Sequence, residues 1–118
     1  MKQIALVGIG GMIGSVLRYL AAIGFRPTQF PYATLLVNII GSLLIGMIMG
    51  WSAKQVNADY WRLFLATGIC GGFTTFSAFA WENLQLLQQQ RYTQFCVYAG
   101  GTLILSLIAV AIGYWLTK

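Results

Sequence analysis

The sequence predicts an all-α membrane protein with four transmembrane helices, organised as a single domain over residues 1–118. Of its 118 residues, 58% are hydrophobic and only 8% are charged. A soluble domain of this length needs more charge to cover its surface. A helix needs about 20 apolar residues to cross a hydrocarbon core of about 30 Å, and four such stretches occupy nearly the whole chain.

The predicted spans cover about residues 4–25, 32–52, 62–87 and 93–116. The first contains one charge, Arg18, and the second contains no charge but one amide, Asn38. Lys2 before the first span is also a feature of signal peptides. No clean cleavage site of small residues follows, however, so we predict that the segment is a membrane span.

The basic residues lie at the ends of the spans, where they face lipid headgroups. The net charge is +5, but the basic residues are scattered, which does not favour nucleic-acid binding. One side of the membrane receives four of them and the other two or three: Lys2, Lys54, Arg62 and Lys118 against Arg26, Arg91 and Arg18. This near balance is compatible with insertion in both orientations, and hence with an antiparallel homodimer.

Glycines recur four residues apart in three of the spans, a spacing that suits close contacts between helices. The pairs are Gly10 and Gly14, Gly46 and Gly50, and Gly68 and Gly72. Ordinary helix packing explains most of them, and self-association is also expected.

Reactive side chains are few. The cysteines, Cys70 and Cys96, lie inside predicted spans, and we expect both to be buried thiols that act as small apolar residues. The acidic residues are Asp59, in a connection, and Glu82, near the end of the third span. No nucleophile, base and orienting group come together in the sequence, so we do not predict an enzyme.

The third span contains the most unusual segment of the chain, Gly68 to Phe79. Adjacent glycines followed by two threonines form a poor helix, and we predict that the helix is broken at Gly71 to Thr75. Broken backbone at membrane depth occurs where it is buried in protein or lines a cavity. Its freed carbonyls can coordinate a cation and its freed amides can face an anion. A simple kink relieved by threonine hydroxyls is the alternative.

Several polar and aromatic side chains in the spans are candidates for an anion pathway. Phe76 and Phe79 share one helix face, and aromatic ring edges carry positive partial charge. Asn38 requires a partner or a water-filled cavity. In the fourth span three hydroxyl groups recur every four residues, on Tyr98, Thr102 and Ser106. Core or lipid-facing packing of the phenylalanines, and hydrogen bonds between helices for the hydroxyls, are the alternatives.

Three segments match a known family. They are the glycine-rich start that ends at Arg18-Tyr19, the segment Thr34-Leu35-Leu36-Val37-Asn38, and Thr67-Gly68 followed by Gly71-Gly72-Phe73-Thr74-Thr75-Phe76-Ser77-Ala78-Phe79. On these motifs the chain resembles the Fluc (CrcB) fluoride channels over essentially its full length. The resemblance implies a bacterial inner-membrane protein that exports fluoride passively through two narrow pathways in an antiparallel, dual-topology homodimer.

The resemblance also implies roles for individual residues. Phe76 and Phe79 correspond to phenylalanines whose ring edges contact fluoride, and Asn38 corresponds to the asparagine beside them. Gly71 and Thr74 correspond to positions whose backbone carbonyls, from both subunits, hold a structural sodium ion at the dimer centre.

Arg18 resembles the vestibule arginine of the family, and Tyr98 and Thr102 resemble its fourth-helix pore-lining positions. Ser77 resembles part of a polar track, and this chain has Ala78 where the family usually has threonine.

Two other functions are possible for a protein of four spans. A small multidrug antiporter, also dual-topology, needs a carboxylate in its first span to exchange protons for cations, and this chain has none there. A structural or regulatory subunit without transport activity would leave the broken third span unexplained.

Overall fold

The computed structural model describes residues 1–25 and 30–118, and the regular structure in these ranges is helical. The elements are α1 (Lys2–Gly24), α2 (Tyr32–Ser52), α3 (Ala58–Trp61), a π-helical segment (Arg62–Cys70), α4 (Gly71–Phe73), α5 (Ser77–Gln88) and α6 (Tyr92–Thr117). Part of the predicted connection from Arg26 to Pro31 lies outside the described residues.

Within the described ranges, four stretches are long and apolar enough to cross a membrane: Lys2–Gly24, Tyr32–Ser52, Ala58–Gln88 and Tyr92–Thr117. They confirm the four predicted spans. The longest dimension of the molecule is 51 Å, comparable with the roughly 40–45 Å of a bilayer with its headgroups. The chain is therefore a multi-pass membrane protein.

The third span begins earlier than the sequence indicated. Residues 58–61, predicted as part of a connection, form the short helix α3, which runs directly into the π-helical segment. Asp59 lies in its first turn, where a negative charge is favourable at a helix N-terminus. The indole rings of Trp51 and Trp61 meet edge to face with their centroids 5.4 Å apart, which ties α3 to the end of α2.

The helices pack as two close pairs. Helix α1 lies against the π-helical segment and α4, whereas α2 lies along α6 and also contacts the π-helical segment. A Cβ atom at Gly10 would meet the Phe64 carbonyl, and one at Gly14 would meet the Ile69 carbonyl. In the second pair, a Cβ at Gly46 would meet the backbone of Val110.

All six glycines identified in the sequence lie at such close contacts within one chain. The prediction of tight helix contacts is therefore confirmed. These glycines are explained by packing inside the chain, so they give no separate evidence of self-association.

Four basic residues lie at one end of the molecule, and they are the four that were predicted to lie on one side of the membrane: Lys2, Lys54, Arg62 and Lys118. The Lys2 ammonium lies 5.8 Å from the centre of the Tyr60 ring, and Lys54 Nζ donates to the Thr117 carbonyl at 2.8 Å. Arg62 Nε donates to the hydroxyl of Ser52 at 3.0 Å. The opposite end carries Arg18 and Arg91, and the predicted Arg26 lies outside the described residues.

The turn between α5 and α6 is fixed by two backbone hydrogen bonds. Gln90 N donates to the Leu87 carbonyl at 3.0 Å, and Arg91 N donates to the Leu86 carbonyl at 2.9 Å. Gln90 has a φ of 58°, as the residue after a helix has in a Schellman motif. This geometry places Arg91 immediately before α6.

The two cysteines differ in exposure. Cys70 is buried, as expected, but Cys96 is exposed, so the prediction for Cys96 is wrong. It lies two helical turns from Leu103, which is 64% exposed, and so occupies the outward face of α6.

Replacing Gly14 by alanine is expected to lower the free energy of unfolding by about 1–3 kcal/mol, because a new Cβ would overlap rigid backbone of the third span. The matched variant is Gly8→Ala on the same helix, where a Cβ meets nothing within 4 Å. Gly8→Ala should be neutral or stabilising, by up to about 1 kcal/mol of helix propensity. Thermal unfolding in detergent measures both, and equal midpoints for the two variants would contradict the packing described.

Candidate functional site

The third span contains a short non-helical link. Helix α4 ends at Phe73, and Thr74 is extended, with φ −81° and ψ 157°. Helix α5 begins at Ser77. The sequence placed the interruption at Gly71 to Thr75, but Gly71 to Phe73 are helical, and the link is Thr74 to Phe76.

The side chain of Asn38 holds this link. Its Nδ2 donates to the Thr75 carbonyl at 3.1 Å, and its Oδ1 accepts from Thr75 N at 3.0 Å. Unpaired backbone groups at membrane depth cost several kcal/mol each. One amide on α2 therefore satisfies both main-chain groups of Thr75.

Threonine hydroxyls satisfy other groups around the link. Thr74 Oγ1 donates to the Cys70 carbonyl at 2.8 Å, which closes the end of α4. Thr75 Oγ1 accepts from Ala78 N at 3.2 Å, which caps the first turn of α5. Relief by hydroxyls, one of the two alternatives from the sequence, is thus present together with the bond to Asn38.

Beside the link lies an open pocket of 570 Å³, which we call the central pocket. It is formed by α2, the link, the start of α5 and the middle of α6. Seven residues predicted as site residues line it: Asn38, Gly71, Thr74, Phe76, Phe79, Thr102 and Ser106. The fold therefore brings together residues from three of the four spans.

Three aromatic rings form a row from the open side of the pocket into the protein. The rings of Phe76 and Phe79 have centroids 5.8 Å apart, and Phe79 and Tyr98 follow at 5.0 Å. Phe76 is 79% exposed, whereas Tyr98 is fully buried. Tyr98 is adjacent to the central pocket through Phe79 but is not part of its lining.

A second cavity of 380 Å³, the side cavity, lies between α1, α2 and α5. Arg18 lines it together with Thr34, Thr75, Ala78 and Glu82. Thr34 Oγ1 donates to Glu82 Oε1 at 2.5 Å. Thr75 lines both cavities, so the non-helical link separates them.

Ser77 is exposed and lines neither cavity. Its hydroxyl lies 3.3 Å from Thr75 Oγ1. Ala78, at the position where a threonine was expected by resemblance, faces the side cavity.

Four further side chains belong to the two cavities although none was predicted as a site residue: Thr34, Ser42, Thr75 and Glu82. Thr34, Asn38 and Ser42 are spaced four residues apart, which places them on one face of α2. Ser42 Oγ donates to the Asn38 carbonyl at 2.6 Å and lines the central pocket. This spacing was the signal that could have identified Thr34 and Ser42.

Comparison with known proteins gives the family. Residues 5–114 match the model of the "CrcB-like protein, Camphor Resistance (CrcB)" family. The chain belongs to the CrcB family. The resemblance deduced from the sequence motifs is confirmed.

Several CrcB relatives carry the name "Fluoride-specific ion channel FluC". One from Phocaeicola vulgatus is 43% identical over the whole length of both chains. One from Flavobacterium psychrophilum is 44% identical, over all of this chain and 98% of the relative. One from Chlorobium chlorochromatii is 45% identical, over 94% of this chain and 88% of the relative.

Replacing Asn38 by leucine, which has a similar volume, is expected to destabilise the protein by about 2–4 kcal/mol, because two backbone groups of Thr75 lose their partner. Thermal unfolding in detergent measures the loss.

The control is Ser42→Ala, one turn further along α2 and in the same pocket. Its hydroxyl bonds only a carbonyl of its own helix, so the expected loss is about 1 kcal/mol or less. An Asn38→Leu variant as stable as Ser42→Ala would show that the amide does not hold the link.

Proposed function

We propose that this chain is a fluoride-selective channel that lets fluoride run passively down its electrochemical gradient. The observation that carries the proposal is its full-length similarity, at 43 and 44% identity, to relatives named as fluoride-specific ion channels. The proposed activity is transport through a bacterial inner membrane, and not catalysis. Neutral hydrogen fluoride that enters a cell and dissociates there would leave as fluoride by this route.

The chemistry of the central pocket supports an anion pathway. The aromatic rings of Phe76 and Phe79 present positive edges, and the hydroxyls of Thr102 and Ser106 are hydrogen-bond donors. The amide of Asn38 uses one N–H on Thr75 and has a second. Within the part of the chain that the structure describes, the pocket's lining contains no charged side chain. Conduction requires binding weak enough for release, which neutral groups provide better than a fixed ammonium.

The open side of the central pocket supports the proposal that the channel contains a second copy of the chain. Phe76 is 79% exposed, although it lies at membrane depth beside the proposed route. In our proposal an antiparallel copy covers this face, so that the homodimer encloses two pathways. The near balance of basic residues between the two ends supports insertion in both orientations.

We also propose that the carbonyls of Gly71 and Thr74 hold a structural sodium ion at the dimer centre. In a continuous helix these carbonyls would accept from the N–H groups of Thr75 and Ala78. Here Thr75 N donates to Asn38, and Ala78 N donates to the Thr75 hydroxyl. Both carbonyls are therefore diverted from helical bonding. Two copies would supply four such oxygens, and oxygen ligands suit a hard cation.

Purified protein in liposomes is expected to release fluoride rapidly and chloride barely at all. Phe79→Ile should reduce the fluoride efflux, because it removes an aromatic edge from the pathway and leaves a side chain of moderate size. A fluoride-selective electrode measures efflux, and size-exclusion chromatography checks the dimer.

The matched control is Phe64→Ile, in the same span but away from the central pocket, and it should conduct as the wild type does. Wild-type efflux equal to that of protein-free vesicles would overturn the channel proposal. Equal efflux from wild type and Phe79→Ile would overturn only the assignment of the pathway.

Labelling of a cysteine introduced at the N-terminus of a Cys70→Ala, Cys96→Ala chain is expected to reach part of the protein from each side of the membrane. A membrane-impermeant maleimide, added before and after permeabilisation, measures the two fractions. Complete protection or complete reaction from one side would exclude dual topology.

A further inference from the structure

A further cavity lies at the end of the molecule that carries Lys2. It has a volume of 220 Å³, and we call it the end pocket. Its lining comes from the start of α1 and from the start of the third span: Leu6, Asn57, Tyr60, Trp61 and Phe64. Tyr60 and Trp61 are 41% and 42% exposed, so the pocket is open to its surroundings. These five residues line neither the central pocket nor the side cavity.

The side chains around the end pocket place it where the hydrocarbon core meets the headgroups. Tyr60 and Trp61 line it, and Trp51 meets Trp61 edge to face. Tyrosine and tryptophan are enriched at this level of a membrane. Leu6 and Phe64 lie about one helical turn or more inside their spans. The pocket therefore has a polar, aromatic mouth and an apolar deeper part.

The ammonium group of Lys2 lies at the mouth of the end pocket. Its Nζ is 5.8 Å from the centre of the Tyr60 ring. Within the described chain this ammonium has that cation–π contact and no ion pair. An ammonium has three N–H donors, and a ring face uses only one side of the group. Lys2 is therefore available to an anion that comes from outside the chain.

The whole of this end carries excess positive charge. Lys54 donates to the Thr117 carbonyl and Arg62 donates to the Ser52 hydroxyl, and both acceptors are neutral. Against the four basic residues, the one acidic side chain described at this end is the exposed Asp59. Positive clusters beside a span attract anionic lipids. A zwitterionic headgroup would bring its own cation towards Lys2 and is less favourable.

The size and shape of the end pocket favour a lipid over a soluble small molecule. Pockets for small molecules have volumes of about 300–1,000 Å³ and enclose most of the ligand, whereas this one is smaller and open. A phospholipid joins a charged phosphate to an acyl chain, which matches the charged mouth and the apolar deeper part. Asn57 adds amide donors at the mouth, because its side chain does not cap α3.

We propose that the end pocket binds one anionic phospholipid, with its phosphate at Lys2 and Asn57 and the first part of an acyl chain against Leu6 and Phe64. This inference is independent of the proposed transport, because it concerns a different cavity and a different ligand. In the proposed antiparallel dimer, one end pocket would face each leaflet of the membrane.

Native mass spectrometry of the full chain tests the proposal by counting retained lipids. The protein is released from micelles that contain equal amounts of phosphatidylglycerol and phosphatidylcholine with identical acyl chains. The wild type should retain mainly phosphatidylglycerol. Lys2→Gln should lower that excess by about fivefold, because a lysine near an anionic surface contributes about 1 kcal/mol. Lys118→Gln removes the same charge at the same end but away from the pocket, and should lower it by less than about twofold.

A second pair of variants tests the apolar part of the site without changing any charge. Leu6→Trp fills the end pocket and should reduce the retained phosphatidylglycerol. The matched control is Ile4→Trp on the same helix, at a side chain that is 71% exposed, and it should retain lipid as the wild type does. Phosphatidylglycerol should also raise the midpoint of thermal unfolding, because a ligand of the folded state stabilises it. Glycerol phosphate, which has no acyl chain, should not.

Equal retention of the two lipids by the wild type would overturn the proposal. Equal losses in Lys2→Gln and Lys118→Gln would also overturn it, since they would indicate diffuse attraction without a site. Stabilisation by glycerol phosphate alone would assign the mouth to a soluble phosphate instead. Dissociation of the dimer by Leu6→Trp, with lipid retention unchanged, would assign the pocket to a second copy of the chain. Should Leu6→Trp not fold, Lys2→Gln decides, because Lys2 is exposed and its loss leaves the packing intact.

Discussion

The two hydrogen bonds between Asn38 and the main chain of Thr75 are the constraint on which the rest of the site depends. They take Thr75 N away from the carbonyl of Gly71, and they hold the third span out of helical geometry. The Thr75 hydroxyl is then placed to cap α5, which directly follows Phe76 and contains Phe79 in its first turn. Without this pair of bonds, a continuous helix would satisfy its own backbone.

The sequence predicts the spans well because composition and length alone decide which segments can enter a bilayer. It also predicts an interruption after Gly71-Gly72, although the helical turn continues to Phe73. The bond that holds the interruption joins residues 37 positions apart, and no local pattern contains that information. The contact between Thr34 and Glu82 could not be predicted for the same reason, since it forms only when α2 and α5 are placed side by side.

The site combines a neutral interior with charged surroundings. The central pocket is lined by rings, hydroxyls and an amide, while charged side chains lie farther out, at Arg18 and Glu82 in the side cavity. Charges at the rim raise the local concentration of an ion, and neutral groups in the interior let it leave again. The aromatic row runs from the exposed ring of Phe76 at the central pocket to the buried ring of Tyr98 on α6.

Asn38 bonds only main-chain atoms at position 75, and this has an evolutionary consequence. Any residue supplies those atoms except proline, which lacks the N–H, so the bend itself places little restriction on the side chain at 75. Position 38 must instead supply a donor and an acceptor from one short planar group. A different side chain at position 75 is therefore compatible with the bend as long as a single amide on another helix is retained, and what depends on the hydroxyl is the cap on α5.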